Sequence, residues 1–461
     1  MMGAGRIVGL GLSLVATSFI IRGIGMGGYG KFSVAMAVST LLVGAGDLGL
    51  GTLTARDLRV ADGEGRDVVS EVWAGRRLVN RLAFVIGAGA SLGLVATGRY
   101  STALIAGVLS LGVPYLLSGN LASMVGFSVG NASRQAVVEV ATKVIWVVIG
   151  VGIWLGKWSW EVALIGSISL GGAAVLVRNW LSGGRHIERV RGGAGVLRTA
   201  APLSMFALIY LAFNRADVIG LAMGAGTSAV GRYSTCYRFA DAMLGLGTGA
   251  VAVMAPRLAE KTSRRELHMR GRRRILLISG WMSALGMAAG PIWLRVLSGD
   301  QLGSMVRAEA TVVLLGVGVV AYIAMQSDLV GLIAARRHKI MLVTVGTAAI
   351  LEGVLVWALG RYSIVIAAGI VCGIEVGATF LTSMFCDKSG MSSEKLKGAL
   401  GALAAGTVAG GIEVFLGAGV IAGAIGVFGV GIAGLASPAL RGEIAGALGL
   451  VTSHLKARSS Q

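Results

Sequence analysis

The chain has 461 residues, 55% of them hydrophobic and only 14% charged, with a net charge of +19 and a mean hydropathy of +0.79. That composition excludes a soluble globular domain, a disordered chain and a small disulfide-stapled secreted fold, and it specifies a membrane protein. No soluble stretch is large enough to fold as a nucleic-acid-binding domain, so the positive charge needs another explanation.

A hydrocarbon core of about 30 Å takes about 20 apolar residues per crossing helix. Predominantly apolar runs of that size predict about fourteen crossings, at 5–21, 33–52, 82–98, 102–125, 136–156, 161–182, 199–222, 229–255, 275–297, 308–332, 340–359, 362–386, 396–416 and 418–438. The first segment has Arg6 ahead of its apolar stretch, as a signal peptide would. A second crossing follows closely with no convincing cleavage site between them, so a retained helix is expected. The last apolar run, 398–437, is interrupted only by Glu413. A single helix of that length would measure about 60 Å, twice the hydrocarbon thickness, so it predicts two crossings. Seventy-four glycines fit a bundle in which small residues let helix backbones approach closely.

Most basic residues fall in alternate loops, 53–81, 183–198, 256–274, 333–339 and 387–397, and near the termini. The positive-inside rule then places both termini in the cytoplasm, and an even number of crossings agrees; the expected location is the cell (inner) membrane, multi-pass. Net charge is therefore mainly topology, although RELHMRGRRR (265–274) also suits anionic lipid head groups. The loops are too short for a catalytic domain and no G-x-x-x-x-G-K-[ST] occurs, so neither an enzyme nor direct use of ATP is expected. Cys236, Cys372 and Cys386 lie in predicted helices, and His186, His268, His338 and His454 in polar loops or the tail. Neither a disulfide framework nor a metal site is expected.

A faint internal repeat is visible. GYGKFSVAMAV (28–38) and AVGRYSTCYRF (229–239) align Gly30-Lys31-Phe32-Ser33 with Gly231-Arg232-Tyr233-Ser234 at an offset of 201 residues. Each follows a helix with an arginine towards its outer end, Arg22 and Arg215 respectively. Six intervening crossings keep the two halves in one orientation, which predicts a symmetry axis along the membrane normal and two bundles facing a shared cavity.

Two stretches resemble the polysaccharide flippases of the MOP superfamily, Wzx-type exporters related to MATE drug exporters and the lipid II flippase. They are IIRGIGMGGYGKFSVAMAVSTLLVGAGDLGLGTLTARDL (20–58), with its Asp47-Leu48-Gly49 step and its Arg56-Asp57 exit, and FNRADVIGLAMGAGTSAVGRYSTCYRFAD (213–241). The resemblance implies an all-α polytopic fold of two six-helix lobes, 1–182 and 199–386, joined by a cytoplasmic linker, 183–198. Two additional helices at 396–438 and a cytoplasmic tail, 439–461, complete the expected plan. It also implies alternation between inward-open and outward-open states, and a fourteen-helix count suits a lipid-linked cargo.

Charges inside the membrane are costly and so mark function or pairing. Arg215 and Asp217 are two residues apart, about 200° around a regular helix, and do not face each other; Asn214 shares the face of Asp217. Tyr233, Tyr237 and Asp241 form an i, i+4, i+8 stripe, with Arg238 in reach of Asp241. Aromatic rings suit sugar faces and a guanidinium suits phosphate, while interhelical packing and charge neutralisation are the structural alternatives. Glu139 and Lys143, at i and i+4, are expected to pair. Substrate-binding candidates are Arg22, Lys31, Arg215, Tyr233, Tyr237 and Arg238. Candidates for H+ or Na+ coupling are Asp47, Asp217, Asp241, Asp328, Glu352 and Glu375, and no other cofactor is expected.

The expected activity is translocation of an isoprenoid-pyrophosphate-linked oligosaccharide from the inner to the outer leaflet, for cell-surface polysaccharide synthesis. The expected partners are that lipid-linked saccharide, membrane lipids, and a polysaccharide polymerase and glycosyltransferases. A cation-coupled drug exporter, a lipid II flippase and a scaffold of a glycan assembly complex are the alternatives.

Overall fold

A computed structural model describes residues 2–47, 132–181, 208–259, 278–299, 301–334 and 337–386, with isolated positions 85, 205 and 276. The crossings expected at 82–98 and 102–125, the two at 396–438, the linker 183–198 and the tail lie outside the described residues, position 85 apart. Within the described residues all regular structure is helical: α1 (Met2–Asp47), α2 (Ala132–Gly156), α3 (Trp160–Leu181), α4 (Ala216–Ala225), α5 (Thr227–Ala259), α6 (Gly290–Ser298), α7 (Met305–Ala334), α8 (His338–Leu359) and α9 (Ile364–Cys386). The spans Val8–Leu42, Met305–Leu329, Lys339–Leu359 and Ile364–Phe385 are long and apolar enough to cross a membrane.

Three expected boundaries move, each for a local reason. The expected connection between the first two crossings is itself helical. One residue, Gly25, interrupts α1 with φ 71° and ψ 171°. A 46-residue helix is about twice the length a bilayer needs, so this break divides α1 into two crossing-length pieces. Only glycine reaches that backbone region without steric cost. The expected crossing at 199–222 is broken as well: residues 208–213 are helical, Asn214 and Arg215 form a turn, and α4 begins at Ala216. The crossing at 275–297 breaks at Ala289, where Pro291 removes an amide from the ladder and crowds the preceding turn.

The chain forms two compact units, Met1–Ser234 with Val345–Ala358, and Thr235–Thr344 with Leu359–Gln461. In the first, α1 packs along α2 through glycines. A side chain at Gly23 would come within 2.9 Å of the Ile153 carbonyl, and one at Gly150 equally close to that of Ala16. Phe19 packs on Trp154 and Phe32 stacks on Trp146 in the same seam. The helix α4 meets α8 in the same manner, a Cβ at Gly220 lying 2.7 Å from the Gly353 carbonyl. Without a hydrophobic force between helices in lipid, such close backbone contact is a main source of association.

In the second unit α7 runs against α9 over most of its length. The stretch 278–288 also packs on α7, where Ser283 donates to the Gly316 carbonyl at 2.7 Å. Trp293 of α6 stacks on Phe239, with ring centroids 5.9 Å apart, and its indole N–H donates to the Gly286 carbonyl.

Candidate functional site

The repeat seen in the sequence reappears as geometry within the first unit. Gly226, between α4 and α5, has φ 79° and ψ 174°, nearly the conformation of Gly25, and the two are 201 residues apart. At the same offset Gly30 and Gly231 meet. A side chain on Gly30 would strike the Thr227 carbonyl, and one on Gly231 would strike the carbonyl of Met26, the repeat mate of Thr227. Residue i touching j while j's mate touches i's is the mark of a twofold axis between them. Gly23 and Gly224 share the offset too, the first closing on Ile153 of α2 and the second on Trp357 of α8. One turn beyond the crossing, the buried hydroxyls of Ser33 and Ser234 meet no hydrogen-bond partner among the described residues. The offset pairs Arg22 with Met223 rather than with Arg215, and both Arg22 and Met223 are exposed.

The turn at Asn214 and Arg215 shows what Asp217 does. Asn214 closes the preceding helix, its side-chain amide and its backbone N–H both donating to the Tyr210 carbonyl at 3.1 Å. Asp217 then sits in the first turn of α4, where its Oδ1 accepts the Val218 amide at 2.7 Å. That amide is one of those a helix start leaves unsatisfied, and the carboxylate also opposes the positive end of the helix. The second oxygen, Oδ2, accepts the Tyr233 hydroxyl at 2.7 Å in a fully buried contact. The regular helix assumed in setting Arg215 and Asp217 on opposite faces does not exist at this point. The bond that matters runs from α4 to α5.

The Tyr233–Tyr237–Asp241 stripe divides in character along α5. Tyr233 and Tyr237 are buried, so neither ring offers a face to a ligand in this conformation, whereas Arg238 and Asp241 are partly exposed and pair at 3.3 Å. Lys31 is exposed and Arg215 half-buried. Asp47 ends α1 and Glu139 lies in α2, four residues before Lys143, but the side chains of Asp47 and Glu139 fall outside the described residues.

Three of the remaining carboxylates are deeply buried: Glu352 on α8, and Asp328 and Glu375 on the facing helices α7 and α9 of the second unit. The seam between α7 and α9 is polar along its length. Glu375 fills the space beside Gly318, Thr379 donates to the Ala321 carbonyl at 2.7 Å, and Ser383 donates to Asp328 Oδ2 at 2.7 Å. The spacing 375, 379, 383 is i, i+4, i+8, one stripe of α9 turned to α7. Sequence reasoning named the two acids but not the hydroxyls between them, which look unremarkable among small residues. It also passed over Glu309, 2% exposed and one residue inside the expected end of its crossing, where carboxylates ordinarily reach water.

Comparison with known proteins agrees with this geometry. A family model described as polysaccharide biosynthesis protein matches residues 2–261. No curated protein matches the chain. Among solved structures, the chain is similar to a lipid II flippase, MurJ, in its inward closed conformation, with TM-score 0.64, 11% identity, and 93% of this chain and 96% of that one covered. It is also similar to the MATE multidrug transporter DinF-BH, with TM-score 0.59, 19% identity, and coverage of 83% and 92%. An inward-facing multidrug resistance MATE family transporter of the MOP superfamily matches with TM-score 0.53, 15% identity, and coverage of 87% and 98%. At these identities the likeness concerns the fold: the chain has the all-helical fold shared by MurJ and the MATE transporters.

Proposed function

We propose, from the premise that the chain belongs to the polysaccharide biosynthesis protein family, that it flips an isoprenoid-pyrophosphate-linked oligosaccharide from the inner to the outer leaflet of the cell membrane. The observation that carries the reading is the reciprocal crossing of Gly30 and Gly231 in a chain of that family. Two repeats that touch through bare backbone form a contact which separates without breaking side-chain bonds, as alternation between two openings needs. A pyrophosphate-sugar head group is too polar for lipid and requires a hydrated, partly cationic path. Arg238, on the Gly231 face of α5 and partly exposed, is the leading basic group for it, with Arg215, Arg22 and Lys31 also in contention.

Re-setting is driven by an ion gradient in this reading. Asp328, Glu352 and Glu375, deeply buried, are the coupling candidates with the strongest support. Asp217 has both carboxylate oxygens engaged, Oδ1 with the Val218 amide of α4 and Oδ2 with the Tyr233 hydroxyl. Both termini lie in the cytoplasm, and a polymerase and glycosyltransferases are the partners that would consume and supply the cargo.

Reconstitution of the purified protein into vesicles carrying a lipid-linked saccharide tests this. Cargo accessible to an external glycan-modifying enzyme should rise with protein present. Unchanged accessibility, with efflux of an organic cation instead, would favour the drug-exporter reading that the likeness to DinF-BH keeps open. Neither movement would favour a scaffold. Viability on deletion separates the proposed cargo from lipid II.

A further inference from the structure

Glu309 belongs to none of the polar groupings described above. It lies near the start of α7, in the second unit, and is 2% exposed. Neither of its carboxylate oxygens has a hydrogen-bond partner among the described residues. A carboxylate removed from water with no donor to replace it carries a large desolvation cost in its ionised form. Among the described residues, the charged and titratable groups beside it come from three elements. From α6 comes Arg295, whose guanidinium acts on it electrostatically although the side chain is exposed and makes no hydrogen bond to it. From α5 comes Cys236, whose thiol donates to the neighbouring Ala308 carbonyl at 3.7 Å. On α7 itself Arg307 is exposed, its amide turned to the Ser304 hydroxyl.

A metal ion does not suit this place. Among the described residues no group of three or more His, Cys, Asp or Glu could hold one, and the nearby guanidinium repels a cation. The Ala308 carbonyl, which would otherwise be a ligand, already accepts the Cys236 thiol. A proton needs neither a ligand shell nor space.

We propose that Glu309 is a proton-binding site. In the conformation described it is the neutral acid. On deprotonation one O–H bond breaks, the proton passes to solvent, and the carboxylate draws Arg295 inward, so that α6 shifts against α7. The proposal rests on the transporter reading only in giving that shift a use; the protonation itself stands apart from it.

Trp293, two residues before Arg295 on α6, reports the movement because it is held on Phe239 and on the Gly286 carbonyl. The full-length protein is labelled with fluorotryptophan, the Trp293 resonance is assigned by its loss in Trp293→Phe, and acid and alkaline samples are compared by fluorine NMR and by infrared difference spectroscopy. The wild type should show a protonated-carboxyl C=O band that Glu309→Gln lacks. Its Trp293 resonance should move with pH and stay fixed in Glu309→Gln. Arg295→Gln, at an exposed position that tolerates change, should keep the carboxyl band and lose the Trp293 shift. Identical carboxyl spectra for wild type and Glu309→Gln, a Trp293 resonance that still titrates in either variant, or a response to sodium chloride at fixed pH would each overturn the proposal. Failure to flip lipid-linked saccharide with these signals intact would overturn the flippase reading and leave this one standing.

Discussion

Gly30 and Gly231 occupy each other's space: neither has room for a Cβ, because each lies against the backbone of the helix that carries the other. Replacing either with leucine forces α1 and α5 apart at this close backbone contact between the two repeats. Overpacking a tight contact costs about 1–3 kcal/mol. Gly30→Leu and Gly231→Leu should therefore lower the melting temperature of the conformation described and reduce translocation at least tenfold. The same substitution at Gly11 or Gly373, where a Cβ meets nothing, should change neither. Equal effects at all four positions in a thermal-shift and flipping assay would refute a special role for the crossing.

Asp217 and Tyr233 join α4 to α5 by a buried hydrogen bond, and the prediction concerns which partner is costlier to lose. Tyr233→Phe leaves the Asp217 Oδ2 without its phenolic donor, and a buried acceptor losing its donor costs about 1–3 kcal/mol. Asp217→Asn keeps an oxygen to cap the Val218 amide and gives the tyrosine a neutral partner, so it should cost less. Residues in direct contact show coupling of about 0.5–3 kcal/mol, and the double variant should be less destabilised than the sum of the singles by that amount. Additive losses in denaturation midpoints would show the bond to be energetically empty. Transport by Asp217→Asn should retain its ion dependence, since this carboxylate is occupied structurally.

How much of this was legible in the sequence depends on what each residue's neighbours are. Helices α2, α3, α8 and α9 lie within a few residues of the expected crossings, because hydrophobic length in a bilayer is a one-dimensional property. The break at Gly25 was not legible: a single positive-φ residue leaves no trace in hydropathy, and twelve further glycines lie within residues 3–51 of the same chain. Comparison of the repeats carried the needed signal, since Gly23, Gly25 and Gly30 recur as Gly224, Gly226 and Gly231. The polar stripe on α5 was visible as spacing, but the division between buried tyrosines and a partly exposed Arg238–Asp241 pair depends on partners far away in sequence. Likewise, the hydroxyl of Ser383 became meaningful only once α9 was placed on α7.

Ser383→Ala should expose what the α7–α9 seam is for. The hydroxyl of the half-buried Ser383 supplies the buried Asp328 Oδ2 with a donor at 2.7 Å, and removing a donor from a buried acceptor costs about 1–3 kcal/mol. If Asp328 serves only packing, Ser383→Ala and Asp328→Asn should lower stability and leave the dependence of transport on the ion gradient unchanged. The coupling role proposed for Asp328 predicts otherwise: Asp328→Asn should fold, still bind cargo, and lose gradient-driven flipping. Measuring flipping with and without an imposed proton or sodium gradient, beside thermal stability, separates the two. Glu375→Gln is the companion, since the Glu375 side chain lies against Gly318 in the same seam.

Arg238→Ala distinguishes a cargo contact from an internal neutralising charge. Arg238 and Asp241 pair at 3.3 Å with roughly 30% of each side chain exposed, and such half-solvated i, i+3 pairs contribute little because water and salt screen them. Removing the arginine should therefore change stability by no more than about 1 kcal/mol. A guanidinium that grips a pyrophosphate makes charge-assisted bonds, each worth about 1.5–3 kcal/mol, so the same variant should lose at least tenfold in head-group translocation. Arg238→Lys keeps the charge but not the planar fork and should recover only part of the loss. Asp241→Asn frees the arginine from its neighbour and should leave translocation intact or faster. Wild-type rates in Arg238→Ala would remove Arg238 from the cargo path and leave it the role of neutralising Asp241.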